Sequence, residues 1–296
     1  SAEVELYPDG TLQVRTSAAE LGQGLVTVLQ MIVAEELNIP TEKVRVLVMD
    51  TDLTPNGGPT TASRQTYVTG NAARFASIML RDAISQYLSD KYRLTPEQIR
   101  FNDNDVLFGK KKLQLAAVAS EMIEAGIDLK FMFEYTAPET KPLGQGGDMH
   151  FAFSFACQAA QVEINTNTGF VRVLKVISAN DVGRALNPLG LKGQIEGGII
   201  MGIGHALMEE FVLKDGYLVT DRLSRYPIPT INHTPEIISY IVEDPTNEGP
   251  YGAKGVGEIV SIPTTPAITN AIFNAVGVRV DRLPVKPEFI LKAINN

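Results

Sequence analysis

Cysteine and histidine are scarce in this sequence. A single cysteine, Cys157, stands among 296 residues, and the three histidines, His150, His205 and His233, lie far apart. One thiol makes no intrachain disulfide, and iron–sulfur clusters or structural zinc sites call for about four closely spaced Cys or His ligands. The chain is therefore expected to hold no metal through its own side chains. Cys157 ends the apolar run Phe151 to Cys157, where a buried, inert thiol is expected. Basic clusters are lacking too. The formal net charge is −8 and the densest basic run, Lys110-Lys111-Lys112, reads as a solvated hairpin tip, so nucleic acid is not an expected partner. No apolar stretch approaches the roughly eighteen residues of a membrane span, and Ser1 is not followed by a charged-then-apolar leader. A cytoplasmic protein with no membrane partner is expected. No Gly-Lys-Ser or Gly-Lys-Thr occurs and no acidic magnesium cluster sits near the glycine loops, which disfavours a phosphotransferase.

What is present describes an ordinary globular chain, with 44% apolar and 20% charged residues. Its length allows one large domain or two packed ones. Val4 to Tyr7 and Leu12 to Thr16 flank Pro8-Asp9-Gly10 as a β-hairpin. Helices are expected from Leu25 to Leu37, Asn71 to Tyr92, Leu115 to Glu124, about Gly193 to Phe211, Thr264 to Val276 and Pro287 to Ile294. Strands are expected at Val44 to Met49, Leu129 to Tyr135, Val162 to Ile164, Val171 to Leu174 and Ile237 to Val242, with a hairpin turn at Thr166-Asn167-Thr168-Gly169. The fold class is α+β. Two mixed α/β lobes, 1–140 and 141–296, are expected around a shared cleft, with the Pro- and Gly-rich stretch Ala137 to Asp148 as the boundary.

The most informative stretch is Gly249-Pro250-Tyr251-Gly252-Ala253-Lys254-Gly255-Val256-Gly257-Glu258. Glycine lets backbone N–H groups approach a ligand closely and aims the following side chain at it, which makes Glu258 the candidate base. An exposed glycine turn ending in a capping glutamate is the competing reading. Three further loops share this character. Gly22-Gln23-Gly24 opens a helix, where orphan amides favour an anion such as phosphate, and Gly193-Gln194 is expected to do the same in the second half as a weak internal repeat. Between them, Asn56 to Gln65 is dense in hydroxyls and amides and carries Arg64, a surface suited to a polar, phosphate-bearing ligand or to local backbone capping.

The order Glu20-Leu21-Gly22-Gln23-Gly24, Pro59-Thr60-Thr61-Ala62-Ser63, Asp181-Val182-Gly183 to Gly204, and Gly249 to Glu258 resembles the molybdopterin-binding subunit of the xanthine dehydrogenase and aldehyde oxidase family. The resemblance runs from about Ala2 to Ile294 and covers the C-terminal half of that family's molybdenum region. It implies an oxidoreductase that hydroxylates a carbon of a small-molecule substrate with oxygen from water. Electrons would pass to molybdenum and on to iron–sulfur and flavin centres. At the Glu258 position the family carries the base, and apolar neighbours such as Val256 and Ile259 would raise its pKa by desolvation. Gln23 and Gln194 match glutamines around the metal and pterin, with Gly22 and Gly24 beside the first. Thr60, Ala62, Ser63 and Gln65 match a loop along the cofactor, and Gly255, Val256 and Gly257 would give backbone contacts. Molybdenum would be held by the pterin's own sulfurs, with the pterin in its plain form or extended by a cytosine nucleotide. Iron–sulfur clusters and FAD would sit on other chains or domains. The implied partners are the N-terminal molybdenum half, or a large subunit containing it, and the electron-transfer subunits. Met201 replaces a glutamine common in relatives, and Ile259 replaces a proline. A non-catalytic cofactor cradle or assembly module is the alternative reading.

Overall fold

The structure, a computed structural model, describes residues 1–295. The chain divides into two compact units, the first formed by Ser1–Phe153 with Pro245–Gly255 and the second by the remainder. Both are mixed α+β.

In the first unit, β1 (Ala2–Leu6) and β2 (Leu12–Thr16) form the expected antiparallel hairpin. Strict alternation buries Ala2, Val4, Leu6, Leu12 and Val14 and turns Glu3, Glu5, Gln13 and Arg15 to the opposite face. α1 (Leu25–Leu37) follows, then β3 (Val44–Val48) parallel to β2, then the long α2 (Gln65–Tyr92). A small meander, β4 (Arg100–Asn102), β5 (Asp105–Phe108) and β6 (Lys111–Gln114), leads to α3 (Leu115–Glu124). β7 (Lys130–Phe133) returns beside β1 and completes a sheet of order β3-β2-β1-β7. Leu29, Val33 and Leu37 of α1 and Ala76, Leu80, Ile84 and Leu88 of α2 fill the core above this sheet. Each buried large aliphatic side chain stabilises the unit by about 1.5–3 kcal/mol.

α2 starts at Gln65 rather than at Asn71. Its first turns bury polar residues that satisfy one another, with the Thr69 hydroxyl donating to Gln65 Oε1, so the sequence shows no apolar stripe there. The segment Pro245–Gly255 belongs to this unit because specific contacts hold it. Asn71 Nδ2 donates to the Glu248 carbonyl at 2.6 Å. The Tyr251 hydroxyl donates to Glu36 Oε1 at 2.8 Å, and the Arg74 guanidinium lies 4.8 Å over the Tyr251 ring. Glu36 is itself nearly enclosed and paired with Arg74 at 2.7 Å and Arg81 at 2.9 Å. Burial, and then the bond to Glu36, pushes the Tyr251 phenol well above its ordinary range. An expected division near residue 140 thus gives way to a boundary at 153/154 and a first unit of two chain segments.

In the second unit, β8 (Ala156–Ile164) and β9 (Val171–Asp181) form the second hairpin, closed at Asn165–Gly169. α4 (Pro188–Leu207), the short pair β10 (Leu213–Lys214) and β11 (Tyr217–Leu218), and β12 (Glu236–Val242) follow. β12 runs parallel to β9, giving the order β12-β9-β8. α5 (Thr264–Val276) and α6 (Pro287–Ile294) complete the unit. Its core, separate from the first, contains Val176, Ile195, Ile199, Ile203, Val260, Ile268, Ile272 and Ile290.

Two expectations fail here for identifiable reasons. α4 begins at Pro188, not near Gly193, because Asn187 caps it by accepting from the Gly190 N–H at 3.0 Å and proline fills the first helical position. Gly193 and Gln194 therefore lie inside the helix, and their amides do not form an open N-terminal anion site. Cys157 is exposed rather than buried. β8 is an edge strand that buries one face, and its period-two alternation turns Cys157 outward along with Phe153 and Phe155 just before the strand.

Candidate functional site

In the first unit the loop before α1 is closed on itself. The Glu20 carboxylate accepts from the Gly22 and Gly24 N–H groups at 2.8 and 3.0 Å and from Val26 at 3.0 Å. The helix N-terminus expected to face an anion is thus satisfied by the chain's own carboxylate. Burial alone raises the Glu20 carboxyl, but the N–H groups of Val26, Gly24, Gly22 and Leu25 outweigh it and hold the group below the usual range. Gln23 clamps the same loop, its Nε2 donating to the Ala19 carbonyl at 2.8 Å and its Oε1 accepting from Leu21 at 2.6 Å. The outer side of this loop is open, since a Cβ placed on Gly22 or Gly24 would meet nothing within 4 Å.

The second loop docks onto the first. Thr60 Oγ1 accepts from the Ala19 N–H at 2.8 Å and from Gln65 Nε2 at 3.0 Å, while Gln65 also donates to the Pro59 carbonyl at 2.9 Å. Arg64 donates to the Pro59 carbonyl at 2.9 Å, so this guanidinium shapes the loop. Ala62 and Ser63 hold left-handed backbone conformations, φ 55° and 50°, uncommon for residues with a Cβ. Against them comes Gly255. A Cβ there would lie 1.5 Å from the Ser63 carbonyl oxygen, so only glycine admits this approach. The fold thereby gathers Gly22, Gln23, Gly24, Thr60, Ala62, Ser63, Gln65 and Gly255 from three separated stretches. The carboxamides of Gln23 and Gln65 and the hydroxyl of Thr60 build the loops.

In the second unit, Val256 turns into the core, while Gly257 and Glu258 are exposed. Ile259 also packs toward that core, so the apolar neighbours do not cover the carboxylate as expected. The turn carrying Glu258 is held by its backbone. The Glu258 carbonyl accepts from the Ser261 N–H at 3.1 Å and from Ser261 Oγ at 3.0 Å. The Val260 carbonyl accepts from Gln158 Nε2 at 2.9 Å, and Gln158 Oε1 accepts from Thr264 Oγ1 at 2.7 Å. Val260 sits against the backbone of α4 at Gly198, where an added Cβ would come within 2.3 Å of it. Gln194, one turn before Gly198, lies on the same side of α4. Beside it, Gly193 and Gly197 leave the helix backbone bare, with nothing within 4 Å of an added Cβ. Met201 continues this helix and is exposed.

Sequence reasoning did not find Gln158, Ser261 and Thr264, nor the Glu36, Arg74 and Tyr251 group that anchors the glycine loop. Gln158 acts on residues about a hundred positions away, and no spacing rule reaches that far. Among the described residues, no three of His, Cys, Asp and Glu converge as a metal-holding group, and no helix is long and apolar enough to cross a membrane.

A family profile described as a molybdopterin cofactor-binding domain matches residues 1–235. The 6-hydroxypseudooxynicotine dehydrogenase complex subunit gamma of Paenarthrobacter nicotinovorans is 33% identical over 296 residues, covering 97% of this chain and 36% of that protein. The xanthine dehydrogenase molybdenum-binding subunit of Escherichia coli O157:H7 is 31% identical, covering 97% of this chain and 38% of that subunit. Among solved structures, quinoline 2-oxidoreductase from Pseudomonas putida 86 superposes with a TM-score of 0.86 at 29% identity, covering all of this chain and 38% of the other. The chain thus spans little more than a third of the length of these relatives. With a profile match over residues 1–235 and relatives of this kind along nearly all of its length, the chain belongs to the molybdopterin cofactor-binding domain family of xanthine dehydrogenase and aldehyde oxidoreductase molybdenum-binding subunits.

Proposed function

We propose that this chain carries the base and part of the cofactor-facing surface of a molybdenum hydroxylase, which oxidises a carbon centre with oxygen drawn from water. The observation that carries the reading is Glu258, an exposed carboxylate on a turn whose backbone Ser261 and Gln158 hold, directly following the glycine-rich stretch in the chain. The residues present suit a pterin. In the first unit they offer open glycine surface at Gly22 and Gly24 with the amide and hydroxyl groups of Gln23, Thr60 and Gln65 close by, and in the second a bare helix strip at Gly193 and Gly197 beside Gln194. When bound, the molybdenum–pterin group would supply the acceptor for the two electrons that leave the carbon as its C–H bond breaks and the C–O bond forms.

The chain's own residues have distinct tasks. Glu258 accepts the proton that water loses as its oxygen attacks an electrophilic carbon, a role open to a carboxylate held in place and reachable from solvent. The cofactor-facing groups are, in the first unit, the open side of Gly22 and Gly24 and the backbone at Gly255, and in the second unit Gln194 and the backbone at Val256 and Gly257. Gln23, Thr60, Ala62, Ser63 and Gln65 keep the loops in the shape that binding needs. Iron–sulfur and FAD centres, and the portion of the molybdenum subunit that relatives carry beyond this chain, come from elsewhere in a cytoplasmic assembly. The pterin is the plain or the cytosine dinucleotide form.

Elemental and pterin analysis of the chain, alone and co-purified with its complementary subunits, tests the reading. Molybdenum and pterin are expected in the complex. A well-formed complex without either would mark the chain as an assembly module. In the loaded complex, Glu258→Gln is expected to keep the cofactor and lower turnover by about 10²–10⁴-fold; near-normal turnover would remove Glu258 as the base.

A further inference from the structure

Beneath the turn that carries Glu258 lies a row of polar side chains in the core of the second unit. Thr264, Ser178 and Asn180 are fully buried, and Gln158, half-buried, stands directly opposite Ser178 in the β8–β9 register. Asn180 Nδ2 donates to Ser178 Oγ at 2.8 Å, while Asn180 Oδ1 is buried with no hydrogen-bond partner. Burying polar groups where aliphatic side chains would fit costs stability, most of all for an unsatisfied one, so the row stands out in a core cluster of Val, Ile and Ala. What it touches is specific. The Gln158 carboxamide spans two points of one turn, donating to the Val260 carbonyl at 2.9 Å and accepting from Thr264 Oγ1 at 2.7 Å. Val260 is two residues from Glu258, and Ser261 closes the same turn on the Glu258 carbonyl.

We infer that Gln158 is a positioning residue for the reaction. Its carboxamide ties the turn from Glu258 to Thr264 to strand β8 and thereby fixes where the Glu258 carboxylate stands. The inference rests on Glu258 acting as base. It goes beyond that role by assigning a function to a residue of a distant strand whose carboxamide bonds to Val260 and Thr264. A carboxamide suits the task because it donates and accepts at once, along two directions fixed by its planar geometry. A base displaced by a fraction of an ångström transfers protons poorly even though its affinity for substrate is unchanged.

The test uses the assembled, cofactor-loaded enzyme with three variants: Gln158→Met, which keeps length and removes both hydrogen bonds, Glu258→Gln, and the double variant. Gln158→Met is expected to retain molybdenum content and KM, to lower kcat about 10–100-fold, and to add no further loss in the Glu258→Gln background, because the two residues act as one unit. An unchanged kcat, a kcat loss that only tracks lost molybdenum, or a fully additive loss in the double variant would each overturn the inference. Should Gln158→Met not yield holoenzyme, Gln158→Glu keeps the acceptor for Thr264, drops the donor to Val260, and is held to the same outcomes. Glu258→Gln with normal turnover would remove the base assignment and this inference together, whereas an inactive Glu258→Gln beside a normal Gln158→Met would remove this inference alone.

Discussion

Gly255 has no room for a side chain: the nearest atom to a Cβ there, the Ser63 carbonyl oxygen, lies at 1.5 Å and belongs to backbone that cannot swing aside. Gly255→Ala must therefore push the glycine loop away from the Ala62–Ser63 turn. A melting temperature lowered by the equivalent of about 1–3 kcal/mol is expected. A variant that melts like the unaltered chain would show that the two loops separate without cost. At this scale the sequence singled out Glu258 as the residue to test, because glycine density marks a backbone suited to close approach. It was silent about Gln158, an unremarkable polar residue in an alternating strand until the fold sets it under the Val260 carbonyl.

Among the elements, α1 illustrates how a local rule is met by an unexpected partner. A helix N-terminus opening on Gly24 calls for negative charge, and Glu20 delivers it from within the loop. Because the folded Glu20 carboxyl is held below its unfolded value of about 4.3, its contribution is present above that pH and disappears as pH falls through the folded value. Glu20→Gln is expected to lower stability near neutral pH by about 0.5–2 kcal/mol, the range of a lost cap, and urea titrations should show the difference from the unaltered chain shrinking toward pH 3. A difference that persists in acid would assign the effect to packing rather than charge. Periodicity located α3, α5 and α6 well, since each has an apolar face and plain ends. The starts of α2 and α4 were misplaced because buried Gln65, Thr69 and Asn71 break the apolar stripe of one, and an Asn-Pro start in the other outranks the glycines downstream.

Across the whole molecule, two cores with no residue in common underlie the two units. Gly198→Ala places a methyl group within 2.3 Å of Val260 and strains the second core alone. Native-state hydrogen exchange should then rise for amides of α4 and β9 and stay unchanged for α2 and the β1–β2 hairpin. Faster exchange in both sets would mean that the units open as one. The sequence by itself determined the mixed α+β class, most element positions, the membership of the chain in its family and Glu258 as the residue to test, because these reside in local spacing and in motif order. Tertiary structure alone decided that Pro245–Gly255 returns to the first unit, that Cys157 faces outward, that Glu20 fills the N-terminus of α1, and that Gln158 holds the turn of Glu258. Each of these depends on which face of an element finds a partner, or on a hydrogen bond between residues distant in the chain, and short-range patterns do not encode such pairings.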